Sequence, residues 1–176
     1  PPINPDLPTP HASSLLESGR RAEAIAAYRQ AVVLDPQRAQ LHHNLGNTLR
    51  LDGQLEEAAV SLRQAIRLNP KYAKAYCHLG QVLYQQEKLP DADALLLQAL
   101  ALQPNYAEAL NSRGNVLQQW GRSGEALESF RAAVKLQPKM ISALGNLGTL
   151  LNNLQRRDEA LTYLKKTVEL RPRLPE

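Results

Sequence analysis

Residues 42–47 read HHNLGN, and the string returns altered three times, as CHLGQ at 77–81, NSRGN at 111–115 and GNLGT at 145–149. Leucine beside glycine at helical spacing is what two closely packed helices require. The amides recurring beside them ask for a different reason. Prolines set the period. Pro36, Pro70, Pro104, Pro138 and Pro172 each stand 34 residues after the last, and each closes an apolar-periodic segment where a proline stops a helix. With these at position 32, the units begin near Pro5, Ala39, Ala73, Ala107 and Ile141. Position 8 then reads Gly46, Gly80, Gly114 and Gly148. Position 20 reads Ala24, Ala58, Ala92, Ala126 and Ala160. Position 27 reads Ala31, Ala65, Ala99 and Ala133, with Thr167 as the exception.

Each unit reads as two helices. The first carries its apolar residues at positions 4, 7, 8 and 11, in the third unit Tyr76, Leu79, Gly80 and Leu83, one helical stripe. Glycine at position 15 (Gly19, Gly53, Gly121) suits a left-handed cap, with Glu87 and Gln155 departing from it. The second helix starts near position 18, where Pro90 fits a first turn. A side chain larger than those at positions 8, 20 and 27 should force the helices apart at a cost of about 1–3 kcal/mol. Pro8 and Pro10 fall early in the first unit, so its first helix should be short, with Thr9 as cap and Pro10 in the first turn. The division expected is a Pro-rich linker over 1–8, a truncated unit over 9–38, and full units over 39–72, 73–106, 107–140 and 141–174.

This register resembles the tetratricopeptide repeat, a helix–turn–helix of the same length with small or large apolar residues at the same positions, over residues 11–172. The resemblance implies an all-α fold, a right-handed α-solenoid whose first helices line a concave face. Arrays of this family usually close with an extra helix, whereas only RPRLPE follows Leu170. Leu161, Leu164 and Val168 are therefore expected to be partly uncovered. Either the parent chain continues, which we favour, or two copies associate through these ends.

If positions 4, 7, 8 and 11 face the core, positions 2, 5, 6, 9, 12 and 13 form the free stripe of the first helix. Of its 24 places in units two to five, seven are Asn (44, 47, 111, 115, 146, 152, 153) and five are Gln (40, 81, 85, 118, 119). Only Arg50, Lys74 and Glu108 are charged there, whereas the second helices are crowded with Glu, Asp, Lys and Arg. Asparagine is a poor helix former, so a merely solvated stripe would not choose it. An amide offers two donors and two acceptor lone pairs without net charge, which suits the backbone of an extended peptide. The alternative is that the amides bond one another or water between adjacent helices. The candidate contact residues are Gln40, His43, Asn44, Asn47, Arg50, Lys74, Cys77, His78, Gln81, Tyr84, Asn111, Asn115, Gln118, Asn146, Thr149 and Asn153.

Two sharper versions follow from the resemblance. Chaperone-binding members clamp a C-terminal carboxylate with basic residues on this stripe. Asn44 and Lys74 match two of those places, but His78 stands where arginine is expected, and Thr9 and Ser13 replace the leading lysine and asparagine. The repeats also resemble those of O-linked N-acetylglucosamine transferases and SPINDLY-type proteins, whose position-6 asparagines hold substrate backbones. Asn44 and Asn146 match that ladder; His78 and Ser112 break it, with Asn111 one residue away. On that reading the chain is a substrate-holding arm, and the transferase chemistry lies elsewhere.

Other function classes find less support. The net charge of +4 comes from 21 basic and 17 acidic side chains interleaved along the chain, a mixed surface and not a nucleic-acid stripe. The longest apolar stretch, near Ala94–Leu102, is too short to span a bilayer. The single cysteine, Cys77, allows no internal disulfide. His43, Cys77 and His78 lack zinc-site spacing, so no metal and no cofactor is expected. No nucleophile–base set or phosphate loop is present, so the chain is not expected to be an enzyme by itself. Arg113 occupies a core position and should pack its stem while its guanidinium reaches solvent. Trp120 is expected to plug a junction between repeats.

Overall fold

The structure, a computed structural model, describes residues 8–170, and their side chains from Ala12 onward. Most of the expected linker and the RPRLPE tail lie outside the described residues. Among those described, every regular element is helical, and the chain divides into two compact units, Pro1–Lys88 and Leu89–Glu176. The first holds α1 (Pro8–Glu17), α2 (Arg21–Leu34), α3 (Ala39–Leu51), α4 (Leu55–Leu68) and α5 (Ala73–Gln85). The second holds α6 (Leu89–Leu102), α7 (Ala107–Gln119), α8 (Ser123–Leu136), α9 (Ile141–Asn153) and α10 (Arg157–Leu170). Consecutive helices pack on one another within each unit, and α3 also touches α5, as α7 touches α9.

The close approach of paired helices rests on position 8. A Cβ added at Gly46 would lie 2.7 Å from the Leu62 side chain on α4, and one added at Gly148 would lie 2.7 Å from Leu164 on α10. At Gly114 the space is filled by the Phe130 ring. Hydrogen at Cα is therefore what lets these helices meet. The turn after each first helix is a Schellman closure. Arg20, Gln54, Lys88, Arg122 and Arg156 each donate a backbone N–H to the carbonyl five residues back, at 2.8–2.9 Å. Glu87 and Gln155 adopt the same left-handed backbone as the glycines, with φ of 61° and 62°. The residue type departs from the pattern there and the conformation does not. The second helices carry exposed ion pairs along their outer faces, Arg29 to Glu57 at 2.6 Å and Arg131 to Glu159 at 3.3 Å. Such pairs contribute about 0–1 kcal/mol each, as on any solvated face.

Four expectations need correction. Pro8 and Thr9 lie inside α1, so Thr9 is not its cap. Both prolines fall in the first turn, where backbone N–H groups have no intrahelical partner to lose. The buried face of the first helices is wider than one stripe. Position 3 (Leu41, Ala75, Ala109, Ala143) and position 10 (Thr48, Val82, Val116, Leu150) are buried as well. Each such helix meets its own partner and the neighbours in the stack, so one stripe cannot cover all its contacts. The Arg113 guanidinium does not reach for solvent: its Nε donates to the buried Asp93 carboxylate at 2.7 Å, with Glu125 3.8 Å away. Trp120 is 39% exposed with the Arg122 guanidinium 4.8 Å over its ring, so it plugs nothing. Leu161 and Val168 on α10 are exposed and Leu164 half-buried.

Candidate functional site

The stripe of amides is partly a seam between helices. Position 5 is buried at His43, Cys77 and Asn111, because α3 packs beside α5 and α7 beside α9. Cys77 is 0% exposed, which removes it from the contact residues read from sequence. Gln81 points back at its sulfur, with Nε2 3.7 Å from Sγ. Among the described residues no group of three His, Cys, Asp or Glu side chains could hold a metal ion.

In the first unit Tyr72, just before α5, and polar residues of α3 and α5 form a chain of hydrogen bonds. The Tyr72 hydroxyl donates to Gln40 Oε1 at 2.5 Å. Gln40 Nε2 donates to Asn44 Oδ1 at 2.7 Å, and His43 Nδ1 meets the same oxygen at 3.2 Å. An amide oxygen only accepts, so His43 Nδ1 carries the hydrogen there. His43 Nε2 and His78 Nδ1 then face each other at 3.0 Å and share one proton between the rings. The imidazoles stack with centroids 4.9 Å apart, and the Tyr72 ring tilts onto His43 at 4.7 Å. Burial holds the Tyr72 phenol above its ordinary ionisation range. One turn further on, Asn47 Oδ1 accepts from Arg50 Nε at 3.2 Å and from its terminal nitrogen at 2.9 Å. Asn44, Asn47, Arg50, Gln81 and Tyr84 are half-buried, while Gln40 and Lys74 are exposed.

In the second unit the amides cluster. Asn146 Nδ2 on α9 donates to Asn111 Oδ1 at 3.0 Å and to Asn115 Oδ1 at 2.9 Å, both on α7. Asn111 is buried, Asn115, Gln118 and Asn146 are half-buried, and Thr149 and Asn153 are exposed. Sequence reasoning put these residues on one face and named bonding between amides of adjacent helices as the alternative; Asn146 with Asn111 and Asn115 follows that alternative, though the sequence did not single out these partners. It also missed Asp93, because a carboxylate at an otherwise apolar place of α6 reads as noise until Arg113 is found against it.

Models of the tetratricopeptide repeat match residues 12–51, 46–87, 77–140 and 140–174. The chain belongs to the tetratricopeptide repeat family. Its all-helical architecture is that of the family's solenoids, a fold of protein-interaction scaffolds. MamA is 28% identical, with 90% of this chain and 93% of that one covered and a TM-score of 0.74. YrrB, described as a tetratricopeptide protein with an unusual peptide-binding site, is 28% identical over 92% of this chain and 84% of its own, with a TM-score of 0.66. TTC0263 of Thermus thermophilus is 25% identical, with 97% and 93% covered and a TM-score of 0.85. No curated protein matches the chain by sequence. No helix among the described residues is long and apolar enough to cross a membrane.

Proposed function

We propose that this chain is an interaction scaffold whose first-helix faces hold an extended segment of a partner protein by its backbone. The observation carrying this is the amide cluster of Asn146, Asn111 and Asn115, which is anchored from within yet half-buried at its rim. Preorganised amides lose little entropy on binding, and each peptide contact contributes about 0.5–1.5 kcal/mol, so several in a row are needed. The candidate contacts are Gln40, His43, Asn44, Asn47, Arg50, Lys74, His78, Gln81 and Tyr84 on the first unit. On the second they are Asn111, Asn115, Gln118, Asn146, Thr149 and Asn153. The unusual peptide-binding site of YrrB lends the reading support by likeness.

The test is affinity capture with the chain and with an Asn44→Ala, Asn111→Ala, Asn146→Ala variant that keeps its helical circular dichroism. Loss of bound proteins from the variant is the expected result; an unchanged set would sink the proposal. Binding should also persist as salt is raised, whereas phosphate-backbone binding would weaken steeply. A second reading, the substrate arm of a protein O-glycosyltransferase, is favoured by Asn44 and Asn146 at the position-6 rung. It predicts many unrelated captured clients, where a dedicated scaffold would yield one or two.

A further inference from the structure

We propose that the two units present opposite hydrogen-bonding polarity at position 6. Asn44 offers donors to a carbonyl of the bound segment, and Asn146 offers an acceptor to one of its N–H groups. The proposal rests on the backbone-binding reading and adds which end of each amide faces the ligand.

The polarity follows from which atoms the protein has already used. An amide oxygen has two lone pairs and an amide nitrogen two hydrogens. Asn44 Oδ1 takes Gln40 Nε2 and His43 Nδ1, which fill both its lone pairs. Tyr72 fixes that arrangement from behind, since its proton on Gln40 Oε1 turns the Gln40 nitrogen toward Asn44. Asn44 is thus left with Nδ2 as its open end. Asn47 is disposed alike, its oxygen held by two nitrogens of Arg50. In the second unit the order reverses. Both Nδ2 hydrogens of Asn146 are used, one on Asn111 and one on Asn115, leaving Oδ1 as the open end. The neighbouring Asn115, its oxygen occupied, presents Nδ2 beside it. The first unit therefore reads carbonyls, and the second reads an N–H and a carbonyl together, the pair that one residue of an extended chain displays. Proline or an N-methyl residue is excluded opposite Asn146 and tolerated opposite Asn44.

Aspartate has the shape of asparagine without its donors, so the same substitution must act oppositely at the two places. The probe is a fluorescein-labelled dodecapeptide selected on the whole chain from a random display library, read by anisotropy. In Asn44→Asp the inner oxygen still serves Gln40 and His43, while the outer one faces a peptide carbonyl. Affinity should fall more than about tenfold, further than for Asn44→Ala, which loses one neutral hydrogen bond. In Asn146→Asp the inner oxygen is served by Asn111 and Asn115 once their amides turn over; this withdraws the Asn115 donor from the peptide, a loss offset because the outer oxygen now accepts as a charged group. Affinity should stay within about threefold of the parent or improve, while Asn146→Ala weakens binding. Both aspartates change net charge equally, so their difference isolates geometry.

Side-chain amide resonances of the ¹⁵N-labelled parent give a check independent of variant folding. The Asn44 NH2 pair should shift on adding peptide, and by more than the Asn146 pair, whose hydrogens are already bonded and which feels the peptide only through its oxygen. Equal losses for the two aspartates, the reverse order, or a shift at Asn146 without one at Asn44 would each overturn the polarity. If no peptide is selected, or neither alanine variant weakens binding, the underlying backbone reading fails instead.

Discussion

Replacing Gly46 by alanine sets two known effects against each other at one atom. Alanine is the better helix former by about 1 kcal/mol, so an interior glycine of α3 should gain from the change. Against this, the new Cβ would stand 2.7 Å from Leu62 Cγ and 3.1 Å from the Ala58 carbonyl oxygen. Leu62 is 0% exposed and has nowhere to turn, and the Ala58 oxygen belongs to the backbone of α4. Overpacking of this kind costs about 1–3 kcal/mol, leaving a net loss of about 1 kcal/mol at the middle of that range. For a chain of this size the melting temperature should drop by about 2–4 °C. Gly145→Ala is the internal control. Its Cβ would meet only Thr167 Cγ2 at 3.8 Å, an ordinary contact, so propensity alone acts. It should raise the melting temperature by about the same amount. Thermal unfolding followed by circular dichroism measures both. The packing argument is refuted if Gly46→Ala stabilises the protein as much as Gly145→Ala does.

Three further outcomes are expected. Asp93→Ala leaves the Arg113 guanidinium largely buried without its carboxylate and should cost about 3–5 kcal/mol in urea unfolding. Replacing both residues by leucine should restore most of that, and a double variant as unstable as the single one would contradict the account. Gln155→Gly relieves a left-handed backbone at φ 62°, worth about 1–2 kcal/mol, against a gain in unfolded-state entropy of about 0.4–1 kcal/mol. A net stabilisation by chemical denaturation checks it. The Tyr72 phenol ionises later in the folded chain than unfolded. Its contribution is therefore full below about pH 10 and lost as pH rises through the folded value. Tyr72→Phe should flatten the alkaline fall in stability, and an unchanged slope would exclude this source.

The fold was legible because its evidence is periodic. Five prolines, four glycines and five alanines in one register leave a single arrangement, and α3, α5, α7 and α9 begin at Ala39, Ala73, Ala107 and Ile141, as the period demands. What stayed hidden was pairwise. Nothing in the string at 111–115 says that Asn111 and Asn115 turn toward Asn146, because that contact joins residues 35 and 31 apart across a helix seam. The same holds for His43 with His78 and for Asp93 with Arg113. Periodicity reports which face a residue occupies; it carries no information on which neighbour a polar atom chooses. Position 5 was misread for a related reason, since α3 and α5 bury it on each other, as α7 and α9 do at Asn111, and the hairpin of one repeat does not show that contact.

The amides of the first helices nevertheless ask for more than a structural account. If their purpose were only to knit α7 to α9, an apolar pair in the seam would serve as well, without the helix-propensity cost of asparagine. A closed network would also use both ends of each amide. Here Asn146 spends both donors inward and keeps its acceptor, while Asn44 spends its acceptor and keeps its donors. Networks that stop half-satisfied at a half-buried rim are costly in a core and useful at a contact surface, where the partner completes them. That asymmetry is what separates the first helices from the second ones, whose Arg29–Glu57 and Arg131–Glu159 pairs are complete in themselves.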